Sequence, residues 1–225
     1  MEEERNILQA WQQSAGPWIA TIDAGEIASR ALATNAAIVS AVLASKPERV
    51  LDAGCGEGWL SRALASEGLD AVGIDGVPEL VERARELGGG AFYAYSYEDL
   101  IAGPGPDLGT FDVIAFNFSL FGKTLTERLL PKLKAYLNPG GRLIVQTLHP
   151  VHELSQKRDA HGWVEEDWSA MQRDYPVSYR WHFKSLAEWR ALFRATGYRV
   201  AAEQSVAHPE TGAELSLVLM AVCSA

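Results

Sequence analysis

The stretch VLDAGCGEGWL, residues 50 to 60, constrains the fold more than any other part of the chain. An apolar run leads into glycines at positions 54, 56 and 58, and the helix-spaced residues Leu60, Ala63 and Leu64 follow. That order reads as a strand, a tight turn and a helix. The strand covers 49–53, and four similar apolar runs come later, at 71–74, 91–95, 111–116 and 142–147. Helical patterns separate them. One covers 59–67. A second covers 78–87, with Pro78 near a first-turn position and the triple glycine 88–90 as its stop. A third covers 126–137, where Pro131 should kink or restart the helix because it removes a backbone donor. Asn138-Pro139-Gly140-Gly141 then signals a turn before the fifth strand. Such alternation implies parallel strands joined by crossover helices.

The C-terminal part ends differently. Ser185-Leu186-Ala187-Glu188 fits a capping box, followed by an apolar stripe of Leu186, Trp189, Leu192 and Phe193 and a C-terminal cap at Gly197. Residues 198–205 and 215–222 read as two strands around a turn at 208–212, and strands so close in sequence should pair antiparallel. The expected fold is α/β: a seven-stranded, mostly parallel sheet with an antiparallel last strand and helices on both faces. Residues 1–225 are expected to form one domain. Two segments lie outside the alternation. Residues 1–45 look like a helical cap, broken at Gly16-Pro17 and Gly25. Residues 150–182 carry Trp163, Trp168, Tyr175, Tyr179 and Trp181. A connection this long in a compact domain is functional or disordered, and its aromatic content argues against disorder. It is expected to cover a substrate.

Composition narrows the function classes. The chain has 225 residues and is 48% hydrophobic, enough for a full core. No segment approaches the roughly 18 uninterrupted apolar residues of a membrane helix. The start, MEEERN, lacks the basic-then-apolar order of a signal peptide. Two cysteines, Cys55 and Cys223, make neither a disulfide framework nor a metal cluster, so a reducing cytoplasm is the expected compartment. The net charge of −9 repels long nucleic acids, and the basic pieces at 132–134 and 156–158 are short. A small molecule is the expected partner. Nothing in the sequence fixes an oligomeric state.

What does the glycine loop hold? A dinucleotide fingerprint would place its third glycine at position 59, where this chain has Trp59. An indole cannot replace a glycine needed for close packing. A phosphate loop would continue into Gly-Lys-Ser or Gly-Lys-Thr, which is absent. Asp52 and Glu57 flank the loop, and that acid pair suits a ligand carrying positive charge.

VLDAGCGEGWLSRALA resembles the first motif of class I S-adenosylmethionine-dependent methyltransferases. The resemblance extends to AYSYEDL at 94–100, FDVIAFNFSLF at 111–121, LKAYLNPGGRLIVQT at 133–147 and SLAEWRALFRATGYRV at 185–200. It spans about 49–222 apart from 150–182, and implies a Rossmann-like fold with S-adenosylmethionine as cofactor. It further implies that Asp52, Gly54, Cys55, Gly56 and Gly58 bind the cofactor, the glycines letting the chain pass close to its methionine part. Asp75, 19 residues beyond Gly56, would grip the ribose hydroxyls beside Gly76, a role dinucleotide enzymes share. Its alternative is a helix cap. Ser96 stands where family members commonly have an acid, so the resemblance implies a weaker or water-mediated side-chain bond from Ser96 to the adenine amino group, with the backbone of Tyr97 able to serve beside it. Asn117 and Phe118 would face both cofactor and substrate, the alternative for Asn117 being a turn residue. Cys55 reads as a small packing residue rather than a nucleophile.

Methyl transfer from a sulfonium is an in-line displacement, and a base is needed only for a protonated nucleophile. His149, after the fifth strand, is the first candidate for that base; the alternative is a histidine that closes the turn before Pro150. His152, Tyr175, Tyr179 and His182 are weaker candidates, and no His/Cys/Asp/Glu set has zinc spacing. Trp11, Trp18 and Arg30 are expected to approach the site, Arg30 meeting the methionine carboxylate, although helix packing and a surface arginine would explain them equally. The base- and amide-methylating motif NPPY is absent, since 117–120 read Asn-Phe-Ser-Leu. The reading is methyl transfer to a small molecule through an O, N or C nucleophile. Its rivals are a non-catalytic cofactor-binding regulator and a nicotinamide oxidoreductase.

Overall fold

In a computed structural model, residues 2–103 and 108–224 are described, without the side chains of 2, 152–154 and 170. The candidate side chain of His152 therefore lies outside the described residues. Helices α1 (Glu2–Asp23) and α2 (Asn35–Leu43) precede β1 (Arg49–Ala53), α3 (Trp59–Ser66), β2 (Asp70–Asp75), α4 (Pro78–Leu87), β3 (Ala91–Ala94) and α5 (Tyr97–Ala102). Then come β4 (Phe111–Asn117), α6 (Thr124–Lys132), β5 (Leu137–Leu148), α7 (His152–Lys157), β6 (Trp163–Glu165), β7 (Arg180–His182), α8 (Leu186–Ala195), β8 (Tyr198–Ala207) and β9 (Glu214–Cys223).

Seven strands form one sheet in the order β3-β2-β1-β4-β5-β9-β8, and β6 and β7 form a separate two-stranded ribbon. β1 to β5 pair parallel, while β9 runs antiparallel to both β5 and β8. The sheet is the Rossmann-like one expected. Period-two alternation sends β4 side chains to two cores. Ile114 and Phe116 pack with Leu129, Leu133, Trp189 and Phe193 from the α6 and α8 side. Val113 and Ala115 pack with Ile38, Val42, Leu60 and Leu64 of α2 and α3. Strand order reverses between β1 and β4, and ligands of open α/β sheets bind at such a switch point, beyond the C-terminal strand ends.

Two expectations need correction. Gly16-Pro17 is no break: α1 runs through it to Asp23. Pro17 removes one helical donor, but Ala15 packs with Val77 and Leu80, and Trp11 and Trp18 join the same cluster, so both halves are anchored. β5 starts at Leu137, ahead of the Asn138–Gly141 turn. The turn is an irregularity inside the strand, where pairing with β4 jumps from Phe111↔Leu137 to Val113↔Arg142. Pro131 does end regular winding: α6 stops at Lys132 and a tighter turn follows over Leu133–Tyr136. The capping box at Ser185 forms as read, with Glu188 Oε2 accepting from the Ser185 N–H at 2.7 Å.

Residues 150–182 hold α7, β6 and β7. The β7 backbone reaches the loop after β4, where the His182 N–H donates to the Phe121 carbonyl at 2.8 Å. Lys184 fastens the same place, its Nζ donating to the Gly122 carbonyl at 2.9 Å. No helix among the described residues is long and apolar enough to cross a membrane.

Candidate functional site

A cavity of about 780 Å³ opens over the C-terminal ends of β1, β2 and β4. It sits in the upper part of the range of about 300–1,000 Å³ usual for ligand clefts. Its lining includes the glycine loop, the β2 and β4 ends, the start of α5, the loop after β4 with α6, α1 with the segment after it, residues 148–179 and the start of β9.

The loop geometry follows from its glycines. The N–H groups of Gly54 and Cys55 both donate to the Ile74 carbonyl, at 2.8 and 2.9 Å. Gly54 has φ +77°, and an added Cβ would lie 2.5 Å from the Ser119 Cβ and 2.6 Å from the Tyr97 hydroxyl. Only glycine fits there. Asp75 closes the loop from below: Oδ2 accepts from the Gly56 N–H and Oδ1 from the Val77 N–H, both at 2.9 Å. Burial raises the Asp75 carboxyl to about 6, against those backbone donors, which pull it back. Gly56 and Gly76 line the cavity with it.

Two residues expected at the cofactor do not line the cavity. Asp52 is buried beneath the loop, and its Oδ2 accepts from the Ser61 N–H at 3.1 Å and the Ser61 hydroxyl at 2.8 Å. α3 begins at a glycine that has no side chain to cap it, so Asp52 supplies the missing acceptor from the neighbouring strand. Burial lifts its carboxyl to about 7. Gly58, at φ +82°, faces the core instead, where a Cβ would meet the Phe92 ring at 2.7 Å. Both residues shape the loop from behind. Cys55 lines the cavity but packs with Val81, Ala84 and Phe92, and burial holds its thiol well above the ordinary range.

Ser96 and Tyr97 lie at the cavity edge with their side chains engaged. Ser96 caps α5, its hydroxyl accepting from the Asp99 N–H at 3.2 Å and donating to Asp99 Oδ2 at 2.7 Å. The acid is thus present three residues later and spent on the cap. The Tyr97 hydroxyl donates to the Ala53 carbonyl at 3.0 Å, under the glycine loop. Asn117 lines the cavity, and its buried Oδ1 has no hydrogen-bond partner. Phe118 follows with φ +52°, a left-handed conformation that a bulky residue adopts at a cost. An unsatisfied acceptor beside a strained backbone is a frequent mark of a ligand site.

Arg30, Trp11 and Trp18 all reach the cavity. Arg30 sits in one wide turn, Arg30–Thr34, wound with an i→i+5 bond; such turns are common at functional sites. Its guanidinium lies 3.8 Å from Glu57 and over the Trp59 ring, 5.0 Å from the centroid. Burial raises the Glu57 carboxyl, while Arg30 and Arg62 counter it, and Glu57 Oε1 remains without a hydrogen bond. His149 also lines the cavity. Its Nε2 is 3.0 Å from the Ser205 hydroxyl and 3.8 Å from Glu214, while the buried Nδ1 has no partner. Among the weaker candidates, Tyr179 lines the cavity; Tyr175 donates to Thr21 Oγ1 at 3.0 Å, and His182 faces Trp163 and Gly162 instead.

Sequence reasoning did not single out Glu166. Glu166 lines the cavity from the segment after β6; its carboxyl accepts a hydrogen bond from Trp181, and burial raises it to about 7. Its sequence neighbour Glu165 looks identical in the chain but accepts from Ser178 at 2.8 Å. Glu165 is the last residue of β6 and Glu166 the first beyond it, so the end of the strand separates the two.

Comparison with known proteins agrees with this geometry. A methyltransferase domain family matches residues 25–203. The ubiquinone biosynthesis O-methyltransferase of Xylella fastidiosa (strain M23) is 40% identical over 107 residues, 45% of this chain and 42% of that protein. The same enzyme of Xanthomonas axonopodis pv. citri (strain 306) is 37% identical over 116 residues, 49% of this chain and 47% of that protein. The chain thus aligns with somewhat less than half the length of these curated relatives. Among solved structures, the DhpI–SAM–HEP complex superposes with a TM-score of 0.69 at 19% identity, covering 98% of this chain and 97% of that one. The 1,6-didemethyltoxoflavin-N1-methyltransferase of Burkholderia thailandensis gives 0.61 at 21% identity, covering 95% and 88%. These two establish the fold. With four-fifths of its length matched, the chain belongs to the methyltransferase domain family.

Proposed function

We propose that the protein transfers a methyl group from S-adenosylmethionine to a small-molecule acceptor. The observation that carries this reading is the glycine loop closed by Asp75 under a cavity with unsatisfied polar groups. The cofactor's chemistry fits the donors present. Asp75 offers carboxylate oxygens to ribose hydroxyls. Arg30 and Glu57 present both signs of charge to a zwitterionic amino-acid group. Gly54, Cys55, Gly56 and Gly76 bring backbone close to the ligand, with Ser96, Tyr97, Asn117 and Phe118 at its nucleoside side. Asp52 and Gly58 hold the loop's shape.

When bound, the cofactor supplies a methyl group already activated on a sulfonium. The chain's own task is to align the acceptor and exclude water. Residues 1–45 act as a cap and 150–182 as a lid within one domain. The cap contributes Trp11 and Trp18, and the lid contributes Trp168, Met171 and Tyr179. His149, with its free Nδ1, is the proposed proton acceptor for a protonated nucleophile. The net charge of −9 and the unpaired Cys55 and Cys223 support a small-molecule acceptor and a reducing, cytoplasmic setting.

Titration calorimetry tests the reading. S-adenosylhomocysteine should bind and NADH should not; NADH binding alone would overturn it. Turnover in a panel of phenols, amines, thiols and carboxylic acids, read by S-adenosylhomocysteine release, excludes a purely regulatory role.

A further inference from the structure

Glu57 and Glu166 both line the cavity, Glu57 buried and Glu166 half-buried, and they are treated differently. Glu57 has Arg30 at 3.8 Å and Arg62 at 4.0 Å. Glu166 accepts a side-chain hydrogen bond from Trp181 but has no cation within ion-pair distance among the described residues, and its charged neighbours Asp167 and Glu165 are acids. A half-buried carboxylate without a cation carries a desolvation cost that a cationic ligand would offset.

Aromatic rings line the cavity together with this acid. Trp168 and Tyr179 line the cavity with it, 6.0 Å apart between ring centroids. Trp11 stands 5.9 Å from Trp168 and 6.0 Å from Tyr179, and Phe121 lies 5.9 Å from Tyr179. The box therefore draws on α1, the loop after β4 and the lid. A run of rings also separates it from the glycine loop. The Trp18 Nε1 lies 3.9 Å from where a Gly56 Cβ would be, Trp11 is 5.1 Å from Trp18, and Trp11 is the first ring of the box.

We propose that Glu166 with Trp11, Phe121, Trp168 and Tyr179 forms the acceptor subsite, and that it binds an amine as its ammonium ion. This rests on the methyltransferase reading and names the acceptor class it leaves open. The carboxylate supplies the opposite charge, and the ring faces supply cation–π attraction. The ionisation of Glu166 agrees: burial and the flanking acids hold its carboxyl at about 7, so an approaching cation favours the charged form. An apolar body on the amine would fill the rest of the box.

The test is calorimetry on the full chain saturated with S-adenosylhomocysteine. The probes are phenethylamine against 2-phenylethanol, and tryptamine against tryptophol. In the wild type at least one amine should bind about tenfold or more tighter than its alcohol, as a charge-assisted contact plus cation–π attraction implies. Glu166→Gln should erase that preference while S-adenosylhomocysteine affinity and melting temperature stay unchanged. Trp168→Leu should reduce it by roughly threefold, having removed one ring face. Equal binding of amine and alcohol in the wild type, or a preference that survives in Glu166→Gln, overturns the proposal. So does a loss of S-adenosylhomocysteine binding in folded Glu166→Gln, which would place this acid at the cofactor. Failure of the wild type to bind S-adenosylhomocysteine would instead overturn the methyltransferase reading itself.

Discussion

Beneath the cavity, Gly54, Cys55 and Gly56 are held by backbone bonds to Ile74 and by the Asp75 carboxylate. Above it, α1 and the segment after it meet the lid through side chains: the edge-on Trp11–Trp168 pair, and the ion pairs Arg180–Glu3 at 3.1 Å and Arg173–Glu26 at 2.8 Å. The lower surface is fixed by main chain and by positions where a single methyl group would collide. The upper surface is fixed by packing and by exposed charge pairs, which individually contribute little. Substitutions below should therefore act abruptly on cofactor binding. Substitutions above should act gradually, and on the acceptor.

The largest expected effect is at Gly54. Gly54→Val should weaken S-adenosylhomocysteine binding by more than about a hundredfold in calorimetry, because its Cβ has nowhere to go and φ is +77°. Retained affinity would break the contrast at its strongest point. Asp75→Ala should cost about 1–3 kcal/mol of binding, as for a lost charged acceptor. Its titration gives a signed pH test. With the carboxyl at about 6, the ionised acceptor dominates above that pH. Affinity should be flat from pH 7 upward and fall as pH drops through about 6, and Asp75→Asn should flatten the profile. Arg30→Ala should weaken binding by about three- to tenfold, since Arg30 is already shared with Glu57; unchanged affinity would remove Arg30 from the site. The smallest effect belongs above the cavity. Arg180→Ala should leave cofactor affinity intact and lower stability by less than about 1 kcal/mol in denaturant titration.

The same contrast explains what the sequence revealed. The lower surface was readable because its constraints are local. Glycine spacing, strand-length apolar runs and an acid at a fixed offset each report on nearby backbone. Even there, local reasoning could not see that Asp52 turns away to hold Ser61, since a missing helix cap becomes visible only when the strand lies beside it. The upper surface was not readable. Pro17 looked like a break because sequence shows the lost donor but not the packing of Trp11, Ala15 and Trp18 that outweighs it. Glu166 was indistinguishable from Glu165, since only the folded chain shows Glu165 paired in the β6–β7 ribbon and Glu166, just past it, lining the cavity. Aromatic content in 150–182 pointed to a cover, and the contacts that complete it, Phe121 with Tyr179 and Trp11 with Trp168, span 58 and 157 residues of sequence.

The central claim is that the glycine-loop side holds the cofactor and the lid side holds the acceptor. Hydrogen exchange read by mass spectrometry, with and without S-adenosylhomocysteine, tests it most directly. The account predicts added protection in peptides covering 54–58, 75–77, 96–97 and 117–118, with little change across 163–179. Protection confined to 163–179, with the glycine loop unchanged, would contradict it.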